Sequence, residues 1–349
     1  MASLHSTGTE GRAPRRRRGF WWWSGRVALG FVFGLLCLVA AGLVYQTVAA
    51  ATDRDRFPPP GQMVDVGGHR LHIQCAGSVH PGVATVVLEA GSGLSSPAWA
   101  LVQSQVSPAT RVCAYDRAGN GWSEPGPPPR DARQVATELH VLLDRAGIAG
   151  PYVLVGHSFG GMYVRAYADA YPADVAGLVL VDSSHPDQLS RSPARSAQLA
   201  GFKRVLQVAP ILARLGIVRL SGAGNSPVID LPPEERAELD AFGALPEQSV
   251  TLLAELEGFQ ATTDLLHAAA PLGARPLFVV SAGKDTDPDW PDLQADLATL
   301  SSNSVRRVVD GADHVSLLFS ATGAAAVSAA ILAVLESVRT GQALSPEPL

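Results

Sequence analysis

The stretch that most constrains this chain is Tyr152-Val153-Leu154-Val155-Gly156-His157-Ser158-Phe159-Gly160-Gly161. A short apolar, β-branched run of this kind reads as a buried strand. It ends in Gly-x-Ser-x-Gly, and helix-permissive residues from Met162 to Ala170 follow at once. Strand, tight turn and helix in that order read as a nucleophile elbow, a strained turn that lifts the serine hydroxyl above a sheet. Glycines at 156 and 160 suit the turn, because a side chain there would crowd it and the helix packed behind. That helix also aims its free N-terminal N–H groups toward Ser158. The pattern alone is weak, since a plain strand–helix turn satisfies it. Its weight depends on partners elsewhere in the chain.

Residues 64–76 show strand patterning around Gly67-Gly68, a hairpin signal, with Leu71, Ile73 and Cys75 alternating with His72 and Gln74. A buried strand at 85–88 leads into Glu89-Ala90-Gly91-Ser92-Gly93, and one at 111–115 leads into Asp116-Arg117-Ala118-Gly119-Asn120-Gly121-Trp122-Ser123. Residues 131–146, with Val135, Leu139, Leu142 and Leu143, have the spacing of an amphipathic helix. His140 on this helix reads as a surface or packing residue. After the elbow, a strand at 175–181 ends in Asp182. The strand pattern then stops until about residue 273, and helical stretches at 233–245 and 248–267 take over. A strand at 276–281 precedes Ala282-Gly283-Lys284-Asp285, and one at 305–309 precedes Asp310-Gly311-Ala312-Asp313-His314. An Ala/Val/Leu-rich helix over 321–338 follows.

From about residue 64 to residue 338, these motifs and their order resemble the α/β-hydrolase family. The resemblance implies a mostly parallel eight-stranded sheet with helices on both faces. It divides the chain into core at 63–182 and 274–340, a helical cap at 183–273 and a tail at 341–349. Ser158, Asp285 and His314 stand in the family's chain order for its triad. Serine is a weak nucleophile until an imidazole takes its proton, and a carboxylate fixes that imidazole's tautomer. Asp182 is the alternative acid, because some members take theirs from that strand end; Asp287 is a weaker third. His157 and His185 lie near the same rim without the terminal-strand placement of His314. The oxyanion donors implied are the backbone N–H groups of Ser92 and Phe159, although Glu89-Ala90 stands where many relatives have histidine. The Asp116-Arg117 turn is expected to serve local pairing. The family's strand order also makes the second and fourth strands neighbours, so Cys75 and Cys113 form either a disulfide or two buried free thiols.

The activity implied is cleavage of a small-molecule carboxylic ester through an acyl-enzyme, with no metal or organic cofactor. Serine at 158 argues against relatives that use aspartate there for epoxide opening or dehalogenation. Three alternatives stay open. One is an acyltransferase, and another is a proline-iminopeptidase-like aminopeptidase in which Glu234, Glu235, Glu255 or Glu257 meets the substrate amine. The third is a non-catalytic binding protein on the same scaffold. The cap stripe Leu252, Leu253, Leu256 and Phe259 reads either as pocket lining or, by its spacing, as core.

The N-terminal segment carries a separate message. Residues 1–26 form a basic tail with Arg15-Arg16-Arg17-Arg18 and Trp21-Trp22-Trp23, and residues 27–51 contain no charge. A span needs about 20 apolar residues. Arginines before it and tryptophans at its edge fit an uncleaved anchor with a cytoplasmic tail and an extracytoplasmic catalytic domain. Residues 52–62, with Pro58-Pro59-Pro60, then read as a stiff linker. The competing reading is a cleaved signal peptide, since Arg17-Arg18-Gly19-Phe20 faintly resembles a twin-arginine signal and Ala49-Ala50-Ala51 offers small residues. Signal cores usually run only about 7–15 residues. A net charge of −5, with the basic run confined to the tail, gives no nucleic-acid signal. The three cysteines are too scattered for a zinc site, and Cys37 within the span reads as apolar filler.

Overall fold

The computed structural model describes residues 18–225, 230–284 and 287–345, together with Gly8. A long helix, α1 (Arg18–Arg56), enters a body that begins with β1 (Gln62–Asp65), β2 (Arg70–Ala76) and β3 (Thr85–Glu89). Next come α2 (Ala100–Val106), β4 (Val112–Tyr115), α3 (Ala132–Arg145), β5 (Tyr152–His157), α4 (Gly160–Ala170) and β6 (Val175–Val181). Among the described residues, six helices then follow without a strand: α5 (Gln188–Arg191), α6 (Pro193–Arg214), α7 (Ile217–Ser221), α8 (Pro233–Gly243), α9 (Pro246–Glu257) and α10 (Phe259–Ala268). The chain returns to the sheet with β7 (Leu277–Ala282), α11 (Trp290–Ala298), β8 (Ser304–Val309), α12 (Ser316–Phe319) and α13 (Ala321–Thr340).

The strands form one eight-stranded sheet in the order β1-β2-β4-β3-β5-β6-β7-β8. β1 and β2 run antiparallel to their neighbours, and every pair from β4–β3 to β7–β8 is parallel. Helices α2 and α13 cover one face. The other face is covered by α3, α4 and α11. Burial on both faces explains why β3, β5 and β7 read as unbroken apolar runs rather than alternating ones. This is the sheet that the family resemblance implies. Cys75 and Cys113 face each other across β2 and β4 and are joined by a disulfide.

Several boundaries differ from expectation, among them the start of α1 at Arg18, inside the expected tail. The helix expected over 248–267 is two helices, α9 and α10, divided at Gly258. Residues 52–56, expected in a linker, continue α1, so the extended connection is only Phe57 to Gly61. The last turns of α1 are stabilised by docking on the body. Gln46 Nε2 donates to the Ala244 carbonyl at 3.0 Å, and Asp53 pairs with Arg219 at 2.7 Å. Gly42 lies so close to the Leu215 carbonyl that a Cβ there would sit 2.6 Å from its oxygen. Before Gly42 the large side chains of α1 from Trp22 to Leu38 are exposed. Among the described residues, α1 and α13 are long and apolar enough to cross a membrane; α13 is half buried against the sheet, whereas the apolar stretch of α1 is bare.

Candidate active site

Ser158 sits between the end of β5 and the start of α4 with φ 55°. Among the described residues, only Ser158 and Asp182 combine a side chain with a positive φ. A left-handed conformation at a non-glycine residue costs about 1–3 kcal/mol and persists only where the surroundings impose it. They do so here. The Ser158 N–H donates to the Val181 carbonyl at 3.0 Å, and its own carbonyl accepts from Ser184 and Gly161 at 2.9 and 3.1 Å. Gly160 starts α4 so close to β3 that a Cβ would lie 2.6 Å from the carbonyl oxygens of Glu89 and Ala90. The sequence that reads as an elbow is held as one by these contacts.

The carboxylate on the histidine is Asp182. His314 Nδ1 donates to Asp182 Oδ2 at 2.6 Å, while Oδ1 accepts from the Ala282 N–H and Trp290 Nε1, both at 2.9 Å. Burial alone raises the Asp182 carboxyl, but the bond to His314, its charge and the two N–H donors outweigh that and hold it below the usual carboxylate value. Asp182 is fully buried and His314 is 40% exposed. His314 Nε2 is the ring nitrogen that Asp182 leaves unengaged. Asp285, the preferred acid from sequence, lies outside the described residues; among those described, the carboxylate on His314 Nδ1 is that of Asp182, the alternative acid. Asp287 is paired with Arg195.

His157 is bonded to the loop that carries His314. Its Nε2–H donates to the His314 carbonyl at 3.1 Å, and burial, reinforced by His314, pushes its pKa down to about 3. A neutral imidazole fixed as the Nε2–H tautomer holds the loop that carries His314. His185 is pushed down to about 4 by burial and by Arg165, and its Nδ1 accepts from the Asp187 N–H.

The loop after β3 runs against the elbow: a Cβ on Gly91 would come within 3.1 Å of Ser158 Cβ. Arg117, fully buried, clamps this loop by donating to the carbonyls of Ala90 and Gly91 at 2.6 and 2.9 Å. The same guanidinium meets Glu89 at 2.5 Å and Glu255 of α9 at 2.8 Å. One cation thus faces two buried carboxylates. Burial pushes Glu89 up to about 7 despite Arg117, and the Tyr115 hydroxyl donates to it. Glu255, weighed from sequence as a partner for a substrate amine, is spent on Arg117 and Asn120. Arg117 reaches far beyond the local pairing expected of its turn. Ser92 has a buried hydroxyl with no hydrogen-bond partner among the described residues. Phe159 opens α4, with its ring stacked on Phe259.

Ser158 and His314 open onto a cavity of about 660 Å³. Its other walls come from Ser192, which caps α6, and the first turn of that helix, including Arg195, from Gln188, and from residues 287–290. Arg195 stacks over the Trp290 ring at 4.1 Å, joining the cap wall to the residue that supports Asp182. The lining is mixed, with Pro193, Ala194, Pro288 and Trp290 among the polar side chains. Leu256 and Phe259 of the apolar cap stripe are buried in packing, and neither they nor Glu234, Glu235 or Glu257 border the cavity.

Comparisons with known proteins agree with this architecture. A model of the alpha/beta hydrolase family matches residues 86–330. The chain is similar to an uncharacterised protein of Schizosaccharomyces pombe, 29% identical over 288 residues, covering 73% of this chain and 52% of that one. It is also similar to a protein of Hormonema carpetanum named as a probable transporter, 36% identical over 141 residues, 39% of this chain and 20% of that one. The chain therefore spans about half or less of these two relatives. Among solved structures, a thermophilic esterase from Thermogutta terrifontis superposes with a TM-score of 0.59 at 24% identity, covering 80% of this chain and 97% of the esterase.

Proposed function

The chain belongs to the alpha/beta hydrolase family, and from that premise we propose that it is a serine hydrolase that cleaves carboxylic esters through an acyl-enzyme on Ser158. The observation that carries this is the 2.6 Å bond from His314 to buried Asp182 at the mouth of the cavity that holds Ser158. His314 Nε2 takes the Ser158 proton as Oγ attacks the ester carbonyl. Asp182 fixes the Nδ1–H tautomer and stabilises the imidazolium that forms. The N–H groups of Ser92 and Phe159 receive the oxyanion, each worth about 10²–10³ in rate. His314 then protonates the leaving alcohol, and water activated by the same nitrogen releases the acid. Esters are favoured because alcohols leave more readily than amines, and because the glutamates weighed for amine recognition do not border the cavity.

In this reading α1 anchors the protein, and the body lies on the side away from the basic tail. The Cys75–Cys113 disulfide supports an oxidising compartment. The test is covalent labelling of the full chain in detergent with a fluorophosphonate probe. Parent protein should be labelled, and Ser158→Ala and His314→Ala should not. A folded parent that stays unlabelled, or an adduct on another serine, would overturn the assignment.

A further inference from the structure

The first turn of α6 lines the cavity, but farther along the helix an apolar row faces away from the body. Phe202, Val205, Val208 and Leu212 recur at three- and four-residue spacing and are all exposed, while Leu206 and Ala213 turn inward. Ile217 and Leu220 of α7 are exposed as well. Helix α6 carries Arg195, Lys203, Arg204 and Arg214 and no acidic residue, in a chain whose net charge is −5. An apolar row with cationic flanks is the pattern of a helix lying in a membrane interface.

The position of α1 indicates which surface covers this row. The bare part of α1 from Trp22 to Gly42 is about 30 Å long, the thickness of a bilayer's hydrocarbon core. Where it ends, it meets the junction of α6 and α7. Gly42 abuts Leu215, and a Cβ on Gly216 would lie 2.6 Å from the Tyr45 ring. The apolar row is thus continuous with the point where α1 would leave the lipid.

We propose that α6 and α7 lie in the leaflet beside α1, and that the cavity draws amphiphilic esters from that leaflet. The apolar side chains of the row sit among the acyl chains, Lys203, Arg204 and Arg214 sit at anionic headgroups, and the first turn of α6 delivers the ester group to Ser158. This rests on reading α1 as a span and Ser158 as the nucleophile.

The test uses the full chain in nanodiscs of phosphatidylcholine and phosphatidylglycerol. In a Cys37→Ser background, nitroxide labels are attached after Val205→Cys, Val208→Cys or Leu220→Cys, with Glu257→Cys as an aqueous reference. Parent protein labelled at Cys37 reports on the span by itself. Oxygen accessibility exceeding that of a nickel chelate at 205, 208 and 220, but not at 257, is expected. Aqueous values at these three cap sites with Cys37 in lipid would overturn the seating of the cap while leaving the anchor intact. An aqueous Cys37 would overturn the anchor. Spin–spin broadening at 208 would mean that a second copy covers the face, which also overturns the proposal. The double variant Val205→Glu, Val208→Glu should lose at least tenfold in kcat/KM on a long-chain ester in vesicles and keep its rate on a short soluble ester. Equal rates on both, or equal losses on both, would refute leaflet delivery. A parent inactive on either ester would instead indict the nucleophile.

Discussion

Asp182 and Ser158 share a left-handed backbone that no other described side-chain-bearing residue adopts, and that shared strain is the residue-scale signature of the site. Asp182 meets His314 directly, and Ser158 shares a cavity with that histidine. Replacing Asp182 with asparagine keeps the shape but puts an amide donor where an acceptor is needed, so kcat should fall about 10⁴-fold. Asp285→Asn should change it less than tenfold. Steady-state kinetics on a soluble ester separate the two. The depressed Asp182 pKa also predicts a sign for stability. A carboxyl held below its unfolded value, about 3.9, contributes stability that is present above that value and lost as pH falls through the folded one. Thermal unfolding of the parent should weaken there, and Asp182→Asn should lack that component.

Elements that are distant in sequence are joined through Arg117, which links the ends of β3 and β4 to α9 of the cap. Arg117→Met would leave Glu89 and Glu255 buried without their cation, a loss of about 3–5 kcal/mol. It would also free the Ala90 and Gly91 carbonyls, so kcat should drop, by at most the 10²–10³ of an oxyanion donor, with KM changing less. Glu89 makes the opposite pH contribution to Asp182. Its pKa is raised to about 7, so its contribution is full below about 4.5 and lost as pH rises to 7, and Glu89→Gln should flatten the Tm profile across that window. The strands were legible in the sequence because a parallel sheet buried on both faces leaves apolar runs, and the elbow was legible because its glycines and serine are contiguous. The Arg117–Glu255 pair spans 138 residues with no local signal. The choice between Asp182 and Asp285 depends on which carboxylate reaches His314. Sequence shows a strand before each but gives no distances. The cavity wall was hidden for the same reason, since it is the start of α6 rather than the apolar stripe of α9 that shares the cavity with Ser158.

At the scale of the whole molecule, the body rests on the end of α1 instead of hanging from a tether. The expected linker is shorter because residues 52–56 remain helical and Asp53 is engaged by Arg219. Gly42→Leu would force α1 away from the Leu215 carbonyl. Limited proteolysis of the intact protein should then cut at residues 54–61 faster than in the parent, with activity on soluble esters retained. The most direct test of the central claim is intact-protein and peptide mass spectrometry of enzyme quenched during turnover of a slowly deacylating ester. An added acyl mass on the peptide containing Ser158, accumulating as a burst stoichiometric with enzyme and absent from Ser158→Ala, is the predicted result. Ester turnover with no acylated peptide, or an acyl group on another residue, would contradict it.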